Sequence, residues 1–319
     1  MKKLYRNIFL LFAVVVMMAA LYACGTNVNS TKNENGKINV VATIFPEYDF
    51  LRQIAGDHIN LTMLLKPGAE THSYEPTPKD VLNVQNADLF VYVGGDSDAW
   101  VSGILDSMDQ SNMNIVTLMD CVSLVEEEAV EGMVAEEEKD TDEPEMDEHV
   151  WTSPKNAILI AQKLCDELCK VDSVNSQDYK ANTEQYIKQL EKLDGEFQDV
   201  VDHAVRKEII VGDRFPFRYF VDAYGLTYYA AFPGCSTDTE ASASTVAFLI
   251  DKIKADKIPV IFHIELSNEL MCDSICSATG AKKELLNAVH NVSKDDFAAG
   301  VTYLDLMEHN VTVLKEALN

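Results

Sequence analysis

The sequence predicts an α/β protein of two lobes, each with a central, mostly parallel sheet flanked by helices, and the two bridged by one long α-helix. Three observations predict this fold. Apolar, β-branched runs alternate with helix-like segments in both halves of the chain, which is typical of parallel sheets covered by helices. The chain has 319 residues, more than one typical domain. A long amphipathic stretch separates the two halves.

The first 23 residues have the pattern of an export signal. Two lysines and an arginine precede an apolar run, Ile8–Tyr22, that is short for a membrane span. The run leads into Leu-Tyr-Ala-Cys, which is similar to a bacterial lipobox and predicts cleavage before Cys24 with a lipid on its thiol. Residues 24–37 favour a flexible tether. We therefore expect a lipid anchor on the extracytoplasmic face of the cell membrane; an uncleaved N-terminal anchor is the alternative.

Residues 38–174 are predicted to form the first lobe. Its expected strands cover residues 38–45, 59–65, 88–93 and 114–118, and its helices begin at residues 46, 78, 98 and 154. Residues 126–148 interrupt this alternation with thirteen acidic residues and one lysine. Self-repulsion and the lack of apolar periodicity predict a disordered insertion. Two functions are open for this insertion: it serves solubility alone, or it captures divalent cations weakly.

Residues 175–205 are predicted to form the connecting segment, and its helix, from Asp178 to about Val205, would span roughly 40 Å at ~1.5 Å per residue. Its apolar stripe consists of Tyr179, Tyr186, Leu190, Leu193 and Phe197. Residues 206–319 repeat the alternation as a second lobe. The expected strands there are 208–212, 227–231, 258–265 and 284–289, and the expected helices are 216–224, 242–255, 267–279 and 295–318.

The charge of the chain limits its partners. Asp and Glu number 52 against 26 Lys and Arg, a net charge of −26, and loss of the signal would leave about −29. Such a charge repels nucleic acid and anionic lipid, so neither is an expected partner. A chain with this charge tolerates cations as partners.

Two histidines lie where open α/β sheets bind ligands. His72 follows the second strand and precedes Thr77-Pro78, a helix start with Thr77 as N-cap. His149 precedes Ser153-Pro154, the start of the next helix. Loops that leave parallel strands form the ligand sites of such sheets. Two neutral imidazoles in acidic surroundings suit a divalent ion such as zinc; the alternative for each is an exposed loop histidine.

The chain resembles the zinc/manganese substrate-binding lipoproteins of bacterial ABC transporters over nearly all of its mature length. The matching stretches are Pro67-Gly68 to His72 and Glu75-Pro76, Asp147 to Pro154, Tyr179 to Leu193, Phe217 to Gly225, Glu240 to Ser242, Ile261 to Glu265, Thr279-Gly280 and Tyr303 to Asn310. The resemblance implies two α/β lobes joined by a rigid helix, with a metal between them.

The resemblance also implies a ligand set. The first-lobe histidines of the family fall on His72 and His149. Its third ligand position holds Arg214, which cannot bind a metal, and its last, an Asp or Glu, holds His290. We expect His72, His149 and His290 as ligands, with Asp213 or a water completing a tetrahedron. Arg214 is expected to pair with Glu265 or Glu240.

The expected function is capture of zinc, with manganese as the alternative, and its delivery to an ABC permease by a monomeric binding protein. Three histidines favour zinc. Zinc-selective members of the family that the chain resembles often carry a histidine-rich insertion, so the absence of histidine from this insertion before His149 weakens that preference. An exported zinc hydrolase is one alternative, because three histidines with an open position also form catalytic sites. A surface adhesin that uses the same fold is another.

Overall fold

The structure, a computed structural model, describes residues 36–133, 145–236 and 241–319. The predicted export signal, the predicted lipidation site Cys24, most of the predicted tether and the middle of the acidic insertion lie outside these ranges. Within them, no helix is both long enough and apolar enough to cross a membrane.

The first lobe has a sheet of four parallel strands in the order β2-β1-β3-β4. The strands are β1 Ile38–Ala42, β2 Ile59–Met63, β3 Leu89–Tyr92 and β4 Asn114–Thr117. The helices are α1 Phe45–Ala55, α2 Pro78–Gln85, α3 Ala99–Asp106 and α4 Pro154–Val171. The predicted cap of α2 is present, because Thr77 and Asp80 each accept a backbone N–H from the other.

The second lobe repeats this architecture, with four parallel strands in the order β6-β5-β7-β8. The strands are β5 Glu208–Phe215, β6 Thr227–Pro233, β7 Val260–His263 and β8 Lys282–Leu285. The helices are α6 Arg218–Tyr224, α7 Ala243–Asp256, α8 Leu270–Thr279, α9 Lys294–Ala299 and α10 Tyr303–Leu318. The predicted two-lobe α/β fold is confirmed.

One long helix, α5, joins the lobes and shares their core. It covers Ser176–Asp202, 27 residues, and packs against α1 and α4 on one side and α6 and α10 on the other. Its predicted stripe is buried, and Tyr186 and Phe197 belong to one apolar cluster that contains residues of both sheets, such as Val40 and Val211. The opposite face of each sheet packs against its own helices in a separate cluster.

Two predicted elements of the second lobe were wrong in extent. The last strand ends at Leu285 rather than at Val289, because Val289 takes a left-handed backbone conformation with φ 65° that a strand cannot contain. The terminal helix is interrupted at Gly300, whose φ of 78° ends α9 before α10 begins.

The described parts of the acidic insertion are ordered, so the prediction of disorder was wrong for them. Glu126 and Met146 form an antiparallel bridge, and Asp147 N–H donates to the carbonyl of Val125 at 3.0 Å. This arm lies against the second lobe, where the backbone N–H of Cys235 donates to Glu127 Oε1 at 3.1 Å. Specific contacts with the second lobe therefore hold the ends of the insertion despite their charge.

Glu47 is a fully buried carboxyl group in the first turn of α1. Its Oε1 accepts the Thr43 hydroxyl at 2.7 Å, whereas its Oε2 has no hydrogen-bond partner in the described part of the chain. Burial, together with the nearby buried Asp98, raises the pKa of Glu47 to about 8. The group is therefore mostly protonated at neutral pH.

Replacing Glu47 by glutamine is expected to change how stability depends on pH. In the unfolded chain this carboxyl titrates near the ordinary glutamate pKa of 4.5, and in the folded protein near 8. The folded protein therefore holds an extra proton, and wild-type stability is lost as the pH rises through this window. Glutamine does not titrate, so the variant does not share this loss. The free energy of unfolding of Glu47→Gln minus that of wild type should therefore increase by at least about 2 kcal/mol from about pH 5 to about pH 9. Urea unfolding of the metal-free proteins measures this change, and a pH-independent difference would contradict the raised pKa.

Candidate metal site

His72 lies on the loop between β2 and α2, with its side chain only 4% exposed. Contacts from the far end of the sequence hold this loop in place. The Gly68 N–H donates to the Val292 carbonyl at 2.8 Å, and the Asn291 side-chain amide donates to the carbonyl of Lys66 at 2.8 Å. The position of His72 therefore depends on the second half of the chain.

His149 lies directly before a short 3-10 turn, Val150–Thr152, that leads into α4. Its ring is fully buried. Asp147 Oδ1 accepts both the backbone N–H of His149 at 2.8 Å and its ring Nδ1–H at 3.1 Å. A Cβ atom at position 234 would lie 3.0 Å from His149 Cε1, so Gly234 allows the close approach of that loop to the ring.

His290 follows the strained residue Val289, and one carboxylate holds this turn. Glu265 Oε2 accepts the Ala288 N–H at 2.7 Å, and Glu265 Oε1 accepts the His290 N–H at 2.8 Å and its Nδ1–H at 3.0 Å. A β-branched residue in the left-handed region costs on the order of 1–3 kcal/mol. The bonds to Glu265 offset this strain and fix the direction of the His290 ring.

The three rings converge on one point. Their centroids are 5.6 Å apart for His72 and His149, 5.3 Å for His72 and His290, and 4.9 Å for His149 and His290. One ligand nitrogen from each lies within 4.8 Å of the other two. In the described chain, the Nε2 atom of each ring is buried without a hydrogen-bond partner. Unpaired buried polar atoms are rare, so a shared ligand at this point is the simplest explanation.

Hydrogen bonds behind the rings engage Nδ1, so that the lone pair of a neutral ring lies on Nε2. An ionised carboxylate only accepts hydrogen bonds, so Asp147 and Glu265 place the ring proton on Nδ1. At His72 the same effect passes through a hydroxyl. Ser97 Oγ donates to Glu148 Oε1 and therefore accepts from His72 Nδ1 at 2.7 Å. Carboxylate–histidine arrangements of this kind orient metal ligands.

The surroundings keep two of the rings neutral. Burial, the neighbouring histidines and the Arg214 cation lower the pKa of His72 and of His290 well below the usual range. Burial also lowers the pKa of His149, but the Asp147 and Glu148 carboxylates outweigh it and raise the pKa overall. At neutral pH His72 and His290 therefore present lone pairs, as a metal requires.

The structure places Asp213 and Arg214 differently from the prediction. Asp213 is not among the converging donors that the described residues form; its carboxylate accepts the backbone N–H of Arg214 at 2.8 Å. The prediction that Arg214 pairs with Glu265 was wrong, because Glu265 is occupied by the His290 turn. Arg214 Nη2 lies 2.9 Å from Glu70 Oε1 instead, and Glu240 lies outside the described residues.

Several residues of the site were not predicted from the sequence. A second possible ligand group, Glu148, His149 and Cys235, shares His149 with the first. Ser97 already binds the Glu148 carboxylate, which makes this group the poorer metal site. The spacing Asp147-x-His149 could have indicated a carboxylate behind His149. No local signal connects Ser97 with His72, because 25 residues separate them in sequence.

The sequence profile of the family described as zinc-uptake complex component A, periplasmic (ZnuA), matches residues 40–317. This chain belongs to that family. The predicted relationship to metal-binding components of transport systems is confirmed, and so is the prediction of a solute-binding protein rather than an enzyme. The ZnuA family also agrees with the predicted extracytoplasmic location.

Similar proteins share both the sequence and the fold of this ZnuA-family chain. The high-affinity zinc uptake system protein ZnuA of Bacillus subtilis (strain 168) is 33% identical over 310 residues, 97% of each chain. The zinc-binding lipoprotein AdcA of Streptococcus pneumoniae (strain R6) is 30% identical over 296 residues, 93% of this chain and 58% of that one. The Zn(II)-bound ZnuA-like domain of AdcA matches with a TM-score of 0.74, covering 89% of this chain and 99% of that domain. The laminin-binding adhesin Lmb of Streptococcus agalactiae, 24% identical with a TM-score of 0.75, shares the fold alone and covers 88% of this chain and 100% of its own.

Proposed function

We propose that this ZnuA-family protein captures zinc with His72, His149 and His290 and delivers it to a membrane permease. The observation that carries the proposal is the convergence of three buried Nε2 atoms that have no hydrogen-bond partner among the described residues. An ion bonded to all three at about 2.1 Å would hold them roughly 3.4 Å apart. Donors within 4.8 Å of one another need only a small contraction to reach that spacing.

The donor set favours zinc over manganese. Imidazole nitrogen suits zinc, whereas manganese prefers carboxylate, carbonyl and water oxygens, and zinc also binds more strongly in the general order of divalent metals. Asp213 is directed to its own backbone neighbour, so we assign the fourth tetrahedral position to a water molecule. The carboxylates of Asp147, Glu148 and Glu265 lie behind the ligands and balance the charge of the ion.

We infer that a lipid on Cys24 holds the protein at the membrane, where the permease would receive the metal. The lipobox-like sequence before Cys24 supports the anchor, as does the name lipoprotein given to the related AdcA. A monomer suffices for binding, because one chain supplies all three histidines. The hydrolase and adhesin functions have no comparable support: the family is not an enzyme family, and the likeness to Lmb extends to the fold alone.

The test of the proposed function is a metal titration of the full chain. We expect one zinc ion per chain and a dissociation constant for manganese at least about a hundredfold higher than for zinc. Competition against a chromogenic chelator, with the bound metal counted by elemental analysis, measures both. Failure to bind zinc, or tighter binding of manganese, would contradict the proposal.

A further inference from the structure

Arg214 connects two loops beside the metal site. It lies near the end of β5 in the second lobe, and its Nη2 is 2.9 Å from Oε1 of Glu70, which precedes His72 by two residues. Its Nη1 donates to the Ser236 carbonyl at 3.4 Å. The Arg214 side chain is 17% exposed and that of Glu70 is 41% exposed. The pair therefore joins the loop that carries His72 to the second lobe, close to the surface.

The guanidinium of Arg214 lies beside the loop that carries His72, because its partner Glu70 is only two residues from that ligand. On the solvent side, Glu70, Asp213 and Arg214 line a cavity of about 180 Å³ with the loop that follows β7. A cation thus lines a solvent-accessible cavity beside the loop that carries His72. This is an unfavourable place for a positive charge if its role were to strengthen the binding of a divalent ion.

We propose that the Arg214–Glu70 pair, called here the rim pair, sets the rate at which metal enters and leaves the three-histidine site. The proposal rests on the proposed zinc-binding function. An ion that moves past the rim pair meets a positive charge, and a local parting of the His72 loop from β5 has to break the ion pair. Both effects slow exchange in both directions. The repulsion also acts on the bound ion, so the rim pair does not tighten binding at equilibrium.

Replacing Arg214 by methionine keeps the apolar stem and removes the charge. We expect zinc release from Arg214→Met to be about 5–10 times faster than from wild type, with association accelerated at least equally and a dissociation constant that is unchanged or lower. Glu70→Gln leaves the cation of Arg214 uncompensated, so it should slow association and weaken binding. Exchanging the charges, Arg214→Glu with Glu70→Arg, should bring release back toward the wild-type rate relative to Arg214→Glu alone.

Stopped-flow kinetics on the full chain measures these rates, with zinc-loaded protein mixed with excess EDTA for release and metal-free protein mixed with zinc for association. The matched control is Arg218→Met, because Arg218 is also in the second lobe, is 20% exposed and pairs with an acidic residue, Glu128 at 3.6 Å. Its exchange rates should equal those of wild type.

Different failures of this experiment have different meanings. If Arg214→Met binds zinc at the wild-type rates, the rim-pair proposal is overturned while the zinc-binding function stands. If Arg214→Met weakens binding and its association is not faster, Arg214 has a merely structural role, which also overturns the proposal. If wild type binds no zinc at all, both the proposed function and the rim-pair proposal fall.

Discussion

Replacing His290 by alanine is expected to weaken zinc binding at least about a thousandfold, or ~4 kcal/mol. The variant loses one of three nitrogen ligands, and the two that remain cannot hold a tetrahedral ion with the same strength. The Glu265 carboxylate also loses the ring that it orients. Competition against a chromogenic chelator of known affinity gives the dissociation constant. His72→Ala and His149→Ala should have effects of the same size.

Two further substitutions make this experiment specific. His309→Ala serves as the control, because His309 is an exposed residue of α10, and its zinc affinity should equal that of wild type. His290→Asp keeps a ligand but changes nitrogen to oxygen, so it should bind zinc better than His290→Ala and shift preference toward manganese. Wild-type zinc affinity in His290→Ala would show that the metal binds elsewhere.

Replacing Glu265 by alanine is expected to weaken zinc binding about a hundredfold although Glu265 does not contact the metal. Its carboxylate accepts three hydrogen bonds, two from backbone N–H groups around Val289 and one from His290 Nδ1. Loss of an outer partner of a metal-binding histidine commonly costs about 10–100-fold in affinity. Here the strained Val289 turn is also released, so the effect should lie at the upper end of that range.

The conservative variant Glu265→Gln separates the role of Glu265 in orienting the His290 ring from the packing of its side chain. It keeps the size of the side chain and one acceptor oxygen, but its amide group faces a donor, so we expect an intermediate loss of about tenfold. Circular dichroism and thermal unfolding of the metal-free variants should show a folded protein in each case. Equal affinities of Glu265→Ala, Glu265→Gln and wild type would exclude the proposed role of this carboxylate.

The sequence predicted the features that local patterns determine. Alternating apolar runs indicated both sheets, and the Thr77-Pro78 cap indicated the start of α2, because cap geometry and side-chain periodicity are properties of a few neighbouring residues. His72 and His149 were predicted as ligands from their place between a strand and a helix. His290 was found through the family resemblance, and the structure brings it to the same point as the other two.

The features that the sequence did not predict depend on contacts between distant segments. Glu265 acts on a turn 25 residues further along the chain, and Glu70 meets Arg214 across the two lobes. The acidic insertion was predicted to be disordered from its charge, yet Glu127 is held by the Cys235 backbone 108 residues away. Composition describes how a segment interacts with water but not which donors the rest of the fold will offer it.

The core that runs without a break from one sheet through α5 to the other limits how the metal can be handed over. Separating the two lobes would expose apolar surface to water, at a cost in free energy of about 25 cal/mol for each Å². A permease that extracts the ion therefore has to loosen a few loops at the edge of the cleft while the body of the protein keeps its shape. The turn at Val289 is one such place, because leaving its left-handed conformation would recover strain that the hydrogen bonds to Glu265 now offset.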